Sequence, residues 1–197
     1  PKPSSAASDV YKRQTQARDQ LAGLADTTRG IFAGGVEQPG TQFNIIDFVT
    51  IATTGNAQDF GDLTNQRYNA SGCNDKIRGI FGAGYEHPSH TNIMDYITIS
   101  TLGNALDYGD LSDQKMTPAS VSSSTRAIWT RSGTSPTPGS VMEFTNIRST
   151  GNTTDFGDGH GGAQMFGGQS SSTRGMWAGN YASSNIISYI TMATEGD

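Results

Sequence analysis

"TTGNAQDFGDL" fills residues 53–63, "TLGNALDYGDL" residues 101–111 and "STGNTTDFGDG" residues 149–159. Gly55, Gly103 and Gly151 lie 48 residues apart, and so do Asp59, Asp107 and Asp155. Such a motif is either a reactive site written three times or a structural element that each unit must rebuild. Two further anchors decide between them. One is "TRGIFAGG" (28–35), "IRGIFGAG" (77–84), "TRAIWTRSG" (125–133) and "TRGMWAG" (173–179), whose arginines Arg29, Arg78, Arg126 and Arg174 are spaced 49, 48 and 48. The other is "NIIDFVTIATTG" (44–55), "NIMDYITISTLG" (92–103), "SVMEFTNIRSTG" (140–151) and "NIISYITMATEG" (185–196). Three anchors holding one period define a repeat protein.

Each unit reads as strands. In "IIDFVTIA" (45–52), Ile46, Phe48 and Thr50 share one face while Ile45, Asp47, Val49 and Ile51 share the other, as in a strand covered on both sides. "TTGN" reads as a tight hairpin turn, since Gly and Asn tolerate positive φ. "AQDFGDL" (57–63) then returns as a short outer strand. A fourth strand precedes the arginine anchor, at "QLAGLA" (20–25) and "YNASGC" (68–73). Four short antiparallel strands per 48 residues make one β-propeller blade. A β-helix would need a shorter period, and a sandwich would need no strict repeat. The expected fold is all-β: a partial propeller ring of about four blades, near residues 20–64, 68–112, 117–159 and 163–197.

Composition agrees. Only 16% of the 197 residues are charged and 25 are glycine, a turn-rich signature. No apolar run is long enough to cross a bilayer as a helix. Net charge is −5 with no basic block, which argues against nucleic acid as a partner, and membrane is not expected either. The single cysteine, Cys73, excludes an internal disulfide and a cysteine-cluster zinc site. It reads as a small filler on a strand.

Both ends stand apart from the repeat. "PKPSSAASDVYKRQ" (1–14) matches nothing later and resembles a translated sequencing adapter, so it is expected to be non-native or disordered. "MATEGD" (192–197) stops where the opening motif should start its fourth copy. The chain is therefore expected to be an internal fragment of a longer repeat protein.

The order of features resembles the kelch repeat. "GDLTNQR" (61–67) resembles the lead into the kelch arginine, "RGIFAGG" (29–35) the strand ending in Gly-Gly, and "DFVTIATTGNAQDF" (47–60) the third strand, its turn and the outer aromatic. The likeness covers residues 15–197, with departures. The Gly pair is intact at Gly34-Gly35, but later units read "GAG", "RSG" and "AGN". The kelch tryptophan is replaced by Phe60, Tyr108 and Phe156. The arginine is kept at Arg18 and Arg67, becomes Lys115, and is then absent. The flavour of the opening motif is also similar to repeat proteins of marine phages, which are often labelled virion or tail structural proteins. That resemblance implies a virion or extracellular location and a protein or glycan surface as partner, together with other virion proteins.

Several residue sets invite a chemical reading. The i,i+3 pairs Asp59/Asp62, Asp107/Asp110 and Asp155/Asp158 suggest calcium, but two carboxylates are too few without neighbours. The structural reading gives Gly61 a bulge and Asp62 an Asx-type bond to nearby backbone N–H groups. The repeated arginine either lines the channel as an anion site or bonds a carbonyl or carboxylate of the neighbouring blade; the second is favoured. His87 and His90 lie three apart in "EHPSH" (86–90), but in one unit only. No catalytic set, cofactor or metal site is assigned.

Units differ most in the loop after the Gly strand: "VEQPGTQF" (36–43), "YEHPSHT" (85–91), "TSPTPG" (134–139) and "NYASS" (180–184). Constant strands with variable loops are how a propeller presents a binding surface, although drift gives the same pattern. The candidate binding residues are Glu37, Gln38, Tyr85, Glu86, His87, His90 and Tyr181. The functional expectation is a non-catalytic module for binding or structural assembly. The alternative is a fragment of a carbohydrate-active propeller enzyme, galactose-oxidase-like or related, although Cys73 and the loop histidines do not reproduce a Tyr-Cys cross-link with histidine ligands.

Overall fold

A computed structural model describes residues 13–115, 119–130, 140–159, 167–179 and 185–194. These residues hold strands and no helix. The first sheet contains β1 (Ala22–Ala25) and β2 (Arg29–Ala33); a short ribbon of β3 (Val36–Glu37) and β4 (Thr41–Gln42) follows, then β5 (Ile45–Thr50) and β6 (Gln58–Asp62). Its strand order is β1-β2-β5-β6. The second sheet repeats it with β7 (Ser71–Asn74), β8 (Arg78–Gly82), β9 (Tyr85–Glu86), β10 (Ser89–Thr98) and β11 (Leu106–Lys115). The third has β12 (Ser120–Ser122), β13 (Arg126–Thr130), β14 (Val141–Asn146) and β15 (Thr154–Asp158). The described part of the fourth has β16 (Gly167–Ser170), β17 (Arg174–Ala178) and β18 (Ile187–Thr191). All pairings are antiparallel.

The four sheets are arranged around a common axis as blades of a β-propeller, so the expected fold class holds. β1, β7, β12 and β16 are the innermost strands and adjoin one another in turn. Side chains link them backbone to backbone. The Asn74 amide donates to the Ala25 carbonyl at 3.0 Å, the Ser122 hydroxyl to the Asn74 carbonyl at 2.8 Å, and the Ser170 hydroxyl to the Ser122 carbonyl at 2.8 Å. Apolar packing fills three seams. Phe81 joins Ile31, Ile46 and Phe60 between the first two blades, Trp129 joins Ile80 and Met94 at the second seam, and Trp177 joins Ile128 and Phe156 at the third. Each such buried side chain contributes about 1.5–3 kcal/mol.

Two polar devices recur at the seams. The first is the arginine anchor. Arg29 donates to the Ile99 carbonyl at 2.6 Å, Arg78 to that of Ile147 at 3.0 Å and Arg126 to that of Met192 at 3.3 Å. Each guanidinium also stacks on an aromatic of its own blade: Phe48, Tyr96 and Phe144, at 4.8, 4.3 and 4.6 Å from the ring centre. The favoured reading of this arginine, a bond to the next blade's carbonyl, is the observed one.

The second device is the opening motif, and here the reading changes. The Gly-Asn segment is not a tight hairpin turn. It lies in a seven-residue connection, residues 51–57, between β5 and β6. Its partner is the outer strand of the preceding blade. Gly103 N–H donates to the Phe60 carbonyl at 2.8 Å and Ala105 N–H to the Asp62 carbonyl at 2.7 Å, while the Asn104 side chain accepts from Asp62 N–H at 3.1 Å. Gly151, Thr153 and Asn152 repeat these bonds on Tyr108 and Asp110. Asn is needed because its side-chain oxygen accepts an N–H that the strand leaves without a partner.

The expected bulge at Gly61 is present. Ile46 pairs with Gly61 but Asp47 pairs with Asp59, so Phe60 is the extra residue and turns its ring into the core. Gly61 has φ +143°, and a Cβ there would lie 2.4 Å from the Gly103 carbonyl oxygen; Gly109 stands in the same relation to Gly151. "DFGD" and "GN" are thus two halves of one joint. The Asx-type bond is made by the first aspartate of the motif in the second and third units: Asp107 accepts from Gly109 N–H and Asp155 from Gly157 N–H.

Candidate binding face

Beneath one face of the ring lie buried ion pairs. The segments at the ends of β6 and β11 cross to the next blade and are held on a carboxylate in that blade's third strand. Arg67 reaches Asp95 at 2.6 Å, and both side chains are fully buried. Thr64 adds its hydroxyl at 2.5 Å and its N–H at 3.3 Å. Thr15 and Arg18 do the same for Asp47 in the first blade. At Glu143 the cation is Lys115, while Ser112 gives its N–H and Thr153 its hydroxyl. The cations Arg18, Arg67 and Lys115 stand out in the sequence, but their partners do not. The missed signal was a carboxylate at one constant position of an otherwise apolar strand.

Those linkers position the loops above. Asp19 bridges Val36, and Tyr68 bridges Tyr85. The backbone there is so close that a Cβ on Gly35 would lie 2.8 Å from the Asp19 oxygen, and one on Gly84 2.7 Å from the Tyr68 oxygen. This explains the second glycine of the Gly pair, whereas the first position accepts Ala83 in a left-handed conformation.

The candidate residues fall as follows. Glu37 and Glu86 are equivalent, and each is held by a linker amide: Gln16 donates to Glu37 at 3.2 Å and Asn65 to Glu86 at 3.0 Å. Gln38 and His87 are exposed, and Tyr85, Glu86 and His90 are half-buried. Tyr85 stands at the centre of a ring cluster, 5.3 Å from Tyr68, 5.1 Å from His90 and 6.3 Å from His87. The first two blades share this surface, since the Gln42 side chain accepts from His87 N–H at 3.1 Å. Tyr181 lies outside the described residues. Tyr68 was missed because it read as strand; it precedes β7 and belongs to the loop face. Beside it a cleft of about 290 Å³ opens at the channel mouth, lined by Gln20, Asn69, Ser71 and Ser120 among others.

Among the described residues no group of three or more metal-ligating side chains gathers, and the two histidines meet tyrosine. Cys73 is buried as expected of a filler, and burial pushes its thiol far above the ordinary range. Tyr108 is also raised by burial, and its hydroxyl is engaged by Thr145 and the Asn146 and Ser149 carbonyls. Asp75, at the turn before β8, behaves differently. Burial alone would raise its carboxyl, but the N–H groups of Arg78 and Ile77 and the Arg148 guanidinium together hold it below its ordinary value.

The geometry therefore separates two populations. Repeated charged residues tie blade to blade, and among the described residues the second unit's aromatic and imidazole groups gather on the loop face. No family model matches the sequence, and no curated protein matches it.

Proposed function

We propose that this chain is a non-catalytic propeller module whose loop face around Tyr85 binds a glycan on a cell surface. The observation that carries the reading is the fate of the repeated residues. The arginine anchor, the buried ion pairs and the opening motif are engaged between blades, which leaves, among the described residues, the second unit's Tyr68, Tyr85, His87 and His90 cluster. Rings grouped this way offer flat apolar faces with polar tips, which suit the alternating C–H faces and hydroxyls of a sugar. The exposed amide of Gln38 and the carboxylates of Glu37 and Glu86 supply hydrogen-bonding groups nearby. The resemblance of the opening motif to marine phage repeat proteins supports a virion or tail component as the setting.

The test is binding to an array of cell-surface glycans by the chain and by a Tyr85→Ala, His90→Ala double variant. The expected result is selective binding that falls at least tenfold in the variant. Equal binding by the variant, with its melting temperature unchanged, refutes the loop-face reading.

A further inference from the structure

The carboxylates on the loop face differ from those beneath it in the partner that holds them. Below the face, Asp47, Asp95 and Glu143 are each buried against a cation, Arg18, Arg67 or Lys115, whose side chain is at most 1% exposed. Those positive charges are neutralised under the surface. On the face itself the carboxylates are held by neutral amides. Gln16 donates to Glu37 at 3.2 Å and Gln20 to Asp19 at 3.2 Å, while the Asn65 amide reaches both oxygens of Glu86, at 3.2 and 3.0 Å. Among the described residues none of these three carboxylates is in an ion pair. His87 and His90 turn their rings to Tyr85.

An amide fixes a carboxylate in place without cancelling its charge. The two oxygens offer about four acceptor sites and no donor, and one amide takes only one or two of them. Asp19 and Glu37 are exposed and Glu86 is half-buried, so the remaining sites are open to a ligand. They accept from a hydroxyl or an amide N–H. A ligand carboxylate or sulfate brings a further acceptor and a further negative charge, and like charges placed together at a binding face repel. This chemistry lies beside the rings. Glu86 directly follows Tyr85 in β9, and Asp19 bridges Val36 as Tyr68 bridges Tyr85. The cleft of about 290 Å³ beside Tyr68 continues it, since the described residues lining it, Gln20, Asn69, Ser71 and Ser120 among them, include no charged side chain.

We propose that the glycan taken by this face is uncharged, built of neutral hexose or N-acetylhexosamine units, and that Glu37 and Glu86 are the residues that reject sialic acid, uronic acid and sulfate. This rests on the glycan reading above and names its ligand class. The Tyr68 and Tyr85 rings take the C–H face of a sugar, and the carboxylates take its hydroxyl donors. The same two carboxylates are the repulsive element that discriminates against an acidic competitor. Asp19 adds to the negative field from the first unit.

Matched oligosaccharides test this: neutral cores, each paired with the same core carrying a terminal sialic acid or a sulfate. They are titrated at about pH 8 and low salt, where surface charges are least screened. The wild-type chain binds the neutral member about tenfold or more tightly than its acidic counterpart, and the gap shrinks as salt is added. The double variant Glu37→Gln, Glu86→Gln removes both charges at constant size and keeps an acceptor for the Gln16 and Asn65 amides. It narrows the gap to about threefold or less, chiefly by gaining affinity for the acidic member. The wild-type ratio and its salt dependence are read without any variant, and an unchanged melting temperature checks that the double variant is folded. Equal affinity for both members, or preference for the acidic one, overturns the proposal and leaves the glycan reading standing. A gap that survives added salt, or survives loss of both charges in the folded variant, overturns it too, since shape and not charge then excludes the acid. Binding to no glycan of either kind refutes the glycan reading itself, and the proposal with it.

Discussion

The second and fourth blades are written in nearly the same language but stand in different surroundings. In the second, Asp95 is buried under Arg67 and Thr64. In the fourth, the carboxylate position is Ser188, and the position of the cation is Ala163, which lies outside the described residues. Both charges are gone together. A carboxylate buried without its cation would be costly, and a cation without its carboxylate equally so. The comparison teaches that the ion pair is a matched device that can be dropped whole but not by halves.

Breaking that match produces the largest effect expected. Arg67→Met leaves Asp95 buried and unpaired and lowers unfolding free energy by about 3–5 kcal/mol. Adding Asp95→Leu recovers most of the loss. Ser188→Val in the fourth blade changes stability by about 0.5 kcal/mol or less, since no charge is stranded. Denaturant melts of the four proteins check the contrast, and an equal loss from Arg67→Met and Ser188→Val would erase it.

The arginine anchor sharpens it further. Arg78→Ala removes a stack on Tyr96 and a bond to the Ile147 carbonyl, a loss of about 1–3 kcal/mol. Arg174→Ala removes an exposed stack on Tyr189 and is expected to stay within about 0.5 kcal/mol. Thermal melts separate the two.

The smallest effect is one of pH. The turn before the second strand is capped by Asp26 and Asp75 in the first two blades, and by Ser123 and Ser171 in the last two. The Asp75 carboxyl is held below its ordinary value of 3.8, so its contribution is fully present above that pH and is lost as pH falls through the lower folded value. The serine-capped turns have no such group. Stability measured below pH 4 therefore falls less steeply in Asp75→Asn than in the wild-type chain.

Much of the fold was legible because a repeat exposes its own period. The strands, the bulge at Gly61 and the structural part played by Arg29 and its copies all follow from residues close in sequence or held in phase. The joints between blades were less legible. Asn104 finds its partner Asp62 42 residues away, and Arg67 finds Asp95 28 residues away. Neither pairing has a local signature, so Gly-Asn was read as a turn and Asp62 as its own cap. On the loop face, Tyr85, His87 and His90 were legible as variable, but their convergence with Tyr68 depends on the bridge between the linker and β9.

The clasp formed by the opening motif also has a mechanical consequence. The outer strands β6 and β11 are each gripped by the unit that follows, so tension applied along the chain acts on both clasps in series. The stretch from Gly55 to Gly103 is released when one clasp opens, and it would pay out roughly 160 Å of extended chain. A molecule pulled from its two ends would then lengthen in discrete steps of similar size, one as each clasp gives way, and absorb work at every one.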